Sequence, residues 1–318
     1  MPDLSIVVVS YEMARELPRT LRSLSPAYQG IDAARYEVIV VDNGSRRPPA
    51  PDEFATLGID LSIANVGGTS PSPVGAINHG IARARADLVG VWIDGARLAS
   101  PGLLRACLGA ARLHPRAVVA TLNYQLGPEL QRISTAKGYD QKSEDGLLQA
   151  IGWPADGYRL FDIATSEMPG GPQGPLLESN ALFMARAMWD ELGGYDPAFD
   201  EPGGGMVNPD TLIRALALPG SQLVRVVGEG TFHQFHGGLT TSTQRGAMDV
   251  VKAGAMTYYR RRGRPLSAVR QVGWIFDSRR GTALSGSATE RIEQGVERAV
   301  GDQVVDDEMV GDARNRSQ

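Results

Sequence analysis

Three features of this sequence predict an α/β protein built on a mainly parallel sheet flanked by helices. Short runs rich in valine and isoleucine recur through the first half. Segments of helical period separate them, as crossover connections between parallel strands require. The runs are also nearly continuous in apolar character, the pattern of strands covered on both faces.

The elements follow in order. "LSIVVVS" (4–10) is the first strand and "ARELPRTLRSLS" the helix after it. "YEVIVVD" (36–42) leads into a Gly/Pro-rich loop, "LVGVWID" (88–94) leads into "SPGLLRACLGAARL", and "AVVATL" (117–122) is a fourth strand. Ser100-Pro101 and Asn208-Pro209 mark helix starts, each a capping side chain ahead of a proline at the first helical position. From Tyr124 to Glu178 the pattern gives way to polar, Gly- and Pro-rich sequence with scattered aromatics, which reads as a functional loop region. "ALFMARAMWDELGG" is a strand or turn and then a helix stopped by Gly193-Gly194. "LVRVVGEGTFHQFHGG" is a further strand, and "RGAMDVVKAGAMTYYRRRG" a helix with a basic end. "SRRGTALSGSATE" reads as a linker and "VVDDEMVGDARNRSQ" as an acidic tail. No internal repeat is present.

Composition narrows the function. A formal net charge of -4 gives no electrostatic reason to expect nucleic acid or an anionic membrane as partner. The single cysteine, Cys107, excludes an intramolecular disulfide framework and any multi-cysteine metal cage, and its apolar setting reads as a buried structural thiol. No apolar run approaches the ~18 residues of a membrane span, and the first ten residues lack the basic start of a signal peptide. The expected compartment is the cytoplasm.

Ligands of open parallel sheets bind beyond the carboxyl ends of the strands. Those ends here carry Ser10-Tyr11-Glu12, Asp42-Asn43-Gly44-Ser45 and a lone Asp94. One such acid is ordinary turn chemistry, whereas two on parallel strands are balanced between turn chemistry and a ligand site. No G-x-G-x-x-G follows the first strand, which excludes Rossmann dehydrogenases and methyltransferases, and "SYEMARELP" lacks the Gly-rich basic loop of a sugar nucleotidyltransferase.

The blocks "SIVVVSYEMARELPRTLRSL", "YEVIVVDNGS", "NVGGTSPSPVGAINHGIARARADLVGVWIDG" and "ELGGYDPAFDE" resemble, in that order, the family 2 glycosyltransferases of GT-A fold, over about Leu4 to Gly238. The resemblance implies transfer of a sugar from a nucleotide diphosphate donor to an acceptor hydroxyl, with inversion. It divides the chain into a GT-A domain at 1–240 and a helical C-terminal extension with the acidic tail at 241–318. Within the first, about 1–122 would bind nucleotide and about 123–240 acceptor. Ser10, Tyr11, Glu12, Asp42, Asn65, Gly67, Asn78 and Asp94 take nucleotide-binding roles, with Glu12 standing where asparagine is frequent. The family's third strand ends in Asp-x-Asp, which holds ribose and a divalent metal. Here Asp94-Gly95-Ala96 lacks the second acid.

His233 and His236 in "TFHQFHGG" are the replacement metal ligands beside Asp94, for Mn²⁺ or Mg²⁺, imidazole suiting Mn²⁺ better. Residues three apart on a strand face opposite ways, so one of the pair is expected in the site. The family's general base comes from an acidic pair at a helix start. Asn208 and Pro209 replace that pair, leaving Asp210 as the expected base, with Glu201 and Asp200 as alternatives. Glu178, Asn180 and Glu201 are the expected acceptor-binding residues, for an unidentified small-molecule or glycan acceptor. The departures at Ala96 and Asn208-Pro209 also fit a GT-A protein that binds a nucleotide sugar or glycan without turnover. Homo-oligomerisation is left open.

Overall fold

In the computed structural model, which describes residues 1–68, 70–237 and 247–284, the expected strands form one sheet. At its heart β1 (Leu4–Ser10) and β2 (Tyr36–Asp42) lie parallel, every residue of both buried. β3 (Leu61–Asn65) pairs parallel with β2, and β4 (Leu88–Trp92) parallel with β1. On the other side of β4 the direction reverses at β8 (Ala181–Ala185), which is antiparallel to both β4 and β6 (Ala117–Leu126). β9 (Gln222–His233) runs parallel to β6. The short strands β5 (Arg97–Ala99) and β7 (Ala164–Ser166) pair antiparallel with β9 and β6.

Helices cover both faces, as the crossovers demand. On one face α1 (Glu16–Ser23), α2 (Pro26–Gln29) and α4 (Leu103–Ala111) cover the sheet, with Leu17 and Leu21 of α1 and Leu103, Leu104 and Cys107 of α4 in one apolar core and α4 lying over β6 and β9. Cys107 is buried, as expected. On the other face α3 (Val74–Arg83), α7 (Arg186–Leu192) and α8 (Val207–Ala217) bury Ile77, Trp189 and Leu212. Each such side chain stabilises the fold by roughly 1.5–3 kcal/mol relative to exposure.

Two expectations are corrected. The stretch 124–178 is not an irregular loop. It carries the end of β6, then α5 (Gln131–Ser134), α6 (Gln141–Ala150), a 3₁₀ turn at Gly157–Ile163 and β7. These elements close over their own apolar cluster of Leu98, Leu126, Leu148, Ile151, Leu160 and Phe232. The region after 240 is also more than helical. α9 (Ala247–Arg262) is followed by β10 (Trp274–Asp277), parallel to β9, and by β11 (Thr282–Ala283), which ends the sheet. Part of the expected linker is therefore strand. Its remainder and the acidic tail lie outside the described residues. No helix among the described residues is long and apolar enough to cross a membrane.

Candidate active site

Strand register lines the predicted polar ends up in a row. Ser10 is opposite Asp42, and Asp42 opposite Asn65. Val8 pairs with Trp92, which brings Asp94, two residues on, level with Ser10. Trp92 also pairs with Ala181, so the start of β8, with Glu178 and Asn180, reaches the same edge from the opposite direction. From the far side, β5 sets Arg97 directly opposite His233.

The half of this row at the ends of β1, β2 and β3 is built from tight turns. Asp42 is fully buried and its oxygens are taken by its own turn: Ser45 Oγ donates to Oδ1 at 2.5 Å, and the Gly44 and Ser45 amides donate to Oδ2 at 3.1 and 2.9 Å. These three bonds shape the turn after β2. Gly44 has φ +91°, and a Cβ there would stand 2.3 Å from Gly68 Cα, so the loops after β2 and β3 touch backbone to backbone. Asn65 Oδ1 accepts from the Gly67 amide at 2.7 Å, and Gly67 itself, at φ +76°, has open space beside it. Glu12 holds a left-handed φ of 54°, a conformation that strains a side-chain-bearing residue. Two bonds hold it there: its amide donates to Ser45 Oγ at 2.8 Å, and its Oε1 accepts from the Arg46 amide at 2.8 Å. Tyr11 beside it is exposed. Asn78 is not in the row. Its side chain exchanges two hydrogen bonds with the backbone of Tyr195 (2.8 and 2.9 Å), clamping α3 to the Gly-Gly-Tyr-Asp turn.

The other half is a cluster of charge. Asp94 Oδ1 accepts from the Ala96 amide at 3.0 Å, and Oδ2 from Arg97 Nε at 3.0 Å. Burial opposes its ionisation. The Arg97 guanidinium and the Ala96 amide outweigh that and hold the carboxyl well below the usual range. His233 Nδ1 lies 2.8 Å from Gln131 Oε1. Gln131 Nε2 donates to the His233 carbonyl at 3.0 Å, which orients the amide and makes its oxygen the acceptor for Nδ1–H. The lone pair of His233 is thus on Nε2, which sits 3.1 Å from His236 Nε2. Burial, and repulsion by Arg97 after it, push the His233 pKa well below 6.5 and keep the ring neutral. Both histidines face the site, against the expectation of one. β9 ends at His233, so the two-residue strand period no longer applies where the chain turns to His236.

Asp94, His233 and His236 each offer a ligand atom within 4.8 Å of the others. An ionised carboxylate and a neutral imidazole held in its Nε2-donor tautomer by a second residue are the donors a divalent cation takes. The residues fit the expected metal, although Arg97 already brings a positive charge to Asp94.

The remaining expected acids are elsewhere. Asp210 is 1% exposed, with Arg262 Nε and Nη2 at 2.6 and 2.7 Å and Arg214 Nε at 2.8 Å. Both oxygens are occupied by arginine N–H groups, which anchors α8 to α9. Arg261 binds Glu201 through both carboxylate oxygens at 2.7 Å and Asp200 through one at 2.9 Å, which ties this loop to α9. Glu178 and Asn180 do reach the cluster. Asn208 Nδ2 donates to Glu178 Oε2 at 2.8 Å. With the Asn180 amide turned oxygen-first toward Arg97, it accepts from both guanidinium nitrogens, at 3.0 and 3.2 Å.

Residues 5–166, just over half of the chain, match the family model described as glycosyl transferase family 2. The chain belongs to that family. Among curated proteins none matches it. Of solved structures, S. aureus TarS 1-349 superposes with a TM-score of 0.52 at 12% identity over 81% of this chain and 66% of that one. The same fragment in complex with UDP-GlcNAc gives 0.53 at 12%, over 81% and 67%. TarS beyond that fragment gives 0.52 at 13%, over 82% of this chain and 43% of that one. The chain thus spans about two thirds of the TarS fragment and under half of the longer TarS chain. At such identity the likeness is one of fold, and that fold is the GT-A arrangement of a largely parallel sheet between helices.

Sequence reasoning missed three residues of this family 2 site. Arg97 followed Asp94 by three positions with no motif to mark it. Gln131 and Glu167 lie in the stretch read as irregular, where the side chain of Glu167 accepts from Gln125 and stands 4.0 Å from Arg97. A lone strand-end acid with a basic residue three positions on was the one available signal for the first.

Proposed function

We propose that this protein is an inverting glycosyltransferase that uses a UDP-sugar, with a divalent cation held by Asp94, His233 and His236. The observation that carries the reading is the convergence of those three side chains at the carboxyl edge of the sheet, beside the paired turns after β2 and β3. The UDP-sugar donor is favoured by the UDP-GlcNAc complex of TarS, a protein of the same fold.

The row Ser10–Asp42–Asn65 and the abutting Gly44 and Gly68 backbones form the nucleotide floor, and Asp94 faces the ribose and diphosphate. Arg97 stands beside Asp94 and offers guanidinium N–H groups where the diphosphate charge grows on departure, the strongest kind of anion contact. A bound cation would neutralise more of that charge. Because Arg97 competes for Asp94, such a cation should bind weakly to the protein alone and tightly with the diphosphate in place. Glu178 and Asn180 border the acceptor space, which α5, α6 and the 3₁₀ turn wall off from the side.

Calorimetric titration with UDP, with and without Mn²⁺, tests this together with UDP release from a panel of UDP-sugars. The expectation is UDP affinity raised at least tenfold by Mn²⁺ and turnover lost in chelator. Full turnover in chelator would leave Arg97 alone on the leaving group and refute the cation. Absence of UDP binding would refute the transferase reading, and UDP binding without turnover would establish the non-catalytic one.

A further inference from the structure

Deprotonating an acceptor hydroxyl needs a carboxylate that is ionised, anchored and still open on one oxygen. The acids around the site can be sorted by that requirement. Asp94 spends its oxygens on Arg97 and the Ala96 amide and faces the cation ligands. Glu167 is engaged by Gln125 on one oxygen, and its other lies 4.0 Å from the Arg97 guanidinium. Asp200, Glu201 and Asp210 are neutralised by Arg261, Arg214 and Arg262.

Glu178 differs from all of these. Its Oε2 accepts one neutral hydrogen bond, from Asn208 Nδ2 at 2.8 Å, and among the described residues its Oε1 accepts none. Tyr195 OH lies 3.5 Å from Asn208 Oδ1, which points the amide nitrogen of Asn208 at Glu178. Asn208 opens α8 from a buried position, so the donor is held by the fold and not by a mobile loop. Among the described residues no arginine forms an ion pair with Glu178. Burial, then the nearby charges of Glu167 and Asp94, lift its affinity for a proton above that of an ordinary glutamate.

We infer that Glu178 is the general base of the transfer, and that Asn208 is the positioning residue that anchors one of its oxygens. This rests on the glycosyl transfer reading above. In the step, the acceptor oxygen bonds to the anomeric carbon of the donor sugar. The bond from that carbon to the diphosphate oxygen breaks, and its electron pair leaves with UDP. The acceptor proton passes to Glu178 Oε1. With water as acceptor the same step yields free sugar and UDP.

The pairing also makes the two positions exchangeable. A carboxylate placed at 208 would lie within a hydrogen bond of where Oε2 now sits. The experiment measures UDP release from the UDP-sugar panel in water with Mn²⁺, and UDP affinity by calorimetry, on the full chain and three variants. Glu178→Gln should keep UDP affinity within twofold and lose at least about 10²-fold in turnover, the lower end of what a general base contributes. Glu178→Gln with Asn208→Asp should regain tenfold or more over the single variant. Asn208→Ala should lower kcat with KM unchanged while the calorimetric stoichiometry of UDP per chain stays that of wild type, a number that a loss of folding would reduce. Glu178→Gln turning over at more than a tenth of wild type overturns the assignment, and a double variant no faster than the single overturns the pairing. Wild type that releases no UDP from any donor instead refutes the transfer reading, and the base falls with it.

Discussion

Replacing Asp210 by asparagine separates an anchor from a base. The buried carboxylate accepts three charge-assisted hydrogen bonds of 2.6 to 2.8 Å from two arginines. Removing one partner of a buried ion pair costs roughly 3–5 kcal/mol, because the other charge is stranded. Arg214 and Arg262 are 24% and 23% exposed, so water relieves part of that loss and the lower end, about 3 kcal/mol, applies. Arg262 also keeps Asp196 at 2.5 Å, which limits how far α9 is released. At about 2 °C per kcal/mol for a chain of this size, Asp210→Asn should melt ~6 °C below wild type. Turnover measured well below that temperature should stay within about threefold. Combined with Arg262→Met, the loss should be far from additive, since each change strands the other's partner. Thermal denaturation and UDP release on the same preparations decide the matter. A variant that melts with wild type yet loses turnover 10²-fold would refute the reasoning and return the base to Asp210.

Two further outcomes are expected. Gln131→Leu removes the acceptor that fixes His233 as an Nε2 donor, and second partners of this kind are worth roughly 10–100-fold in metal affinity. Mn²⁺ titration in the presence of UDP should show that loss, with UDP affinity in chelator unchanged. Glu178→Gln should be more stable than wild type at pH 8. The folded-state pKa of Glu178 is raised from 4.5, so its contribution to stability is fully present below 4.5 and is lost as pH rises through the raised value. Glutamine does not titrate, so the gap in melting temperature should close as the pH approaches 4.5, and a constant gap would contradict it.

The half of the molecule built on β1 to β4 was legible because strand-end chemistry is local. Continuous apolar runs announce β1, β2 and β4, and the polar residue that ends each run (Ser10, Asp42 or Asp94) is placed by its neighbours in sequence. Ser10, Asp42, Asn65 and Asp94 therefore fell in one row, and the match to the family ends at residue 166, after that half. What failed was anything decided by pairing at long range. Asp210 reads as a helix-start acid of catalytic type until Arg262, 52 residues on, is found on it. Asn78 fits a nucleotide motif by spacing, yet Tyr195, 117 residues away, claims both its polar atoms. The 124–178 stretch looked irregular because its apolar residues are shared with β5 and β9 and show no period of their own. Its α6 is fixed by Glu144, fully buried, accepting from the Phe235 amide at 2.6 Å and from Arg15 at 3.2 Å.

The late strand β10 carries a practical consequence for where this chain can be cut. β9 bears His233 at one end, and along Val224–Val227 its outer hydrogen-bonding edge is covered by β10 alone. A protein trimmed at residue 240 would bare those four backbone positions on a long apolar strand, an open template for another molecule's strand. It would also pull Phe276 from the space over Gly109, where its ring fills the room a side chain on α4 would need. Shortened versions ending near residue 240 would then self-associate through the very strand that presents His233.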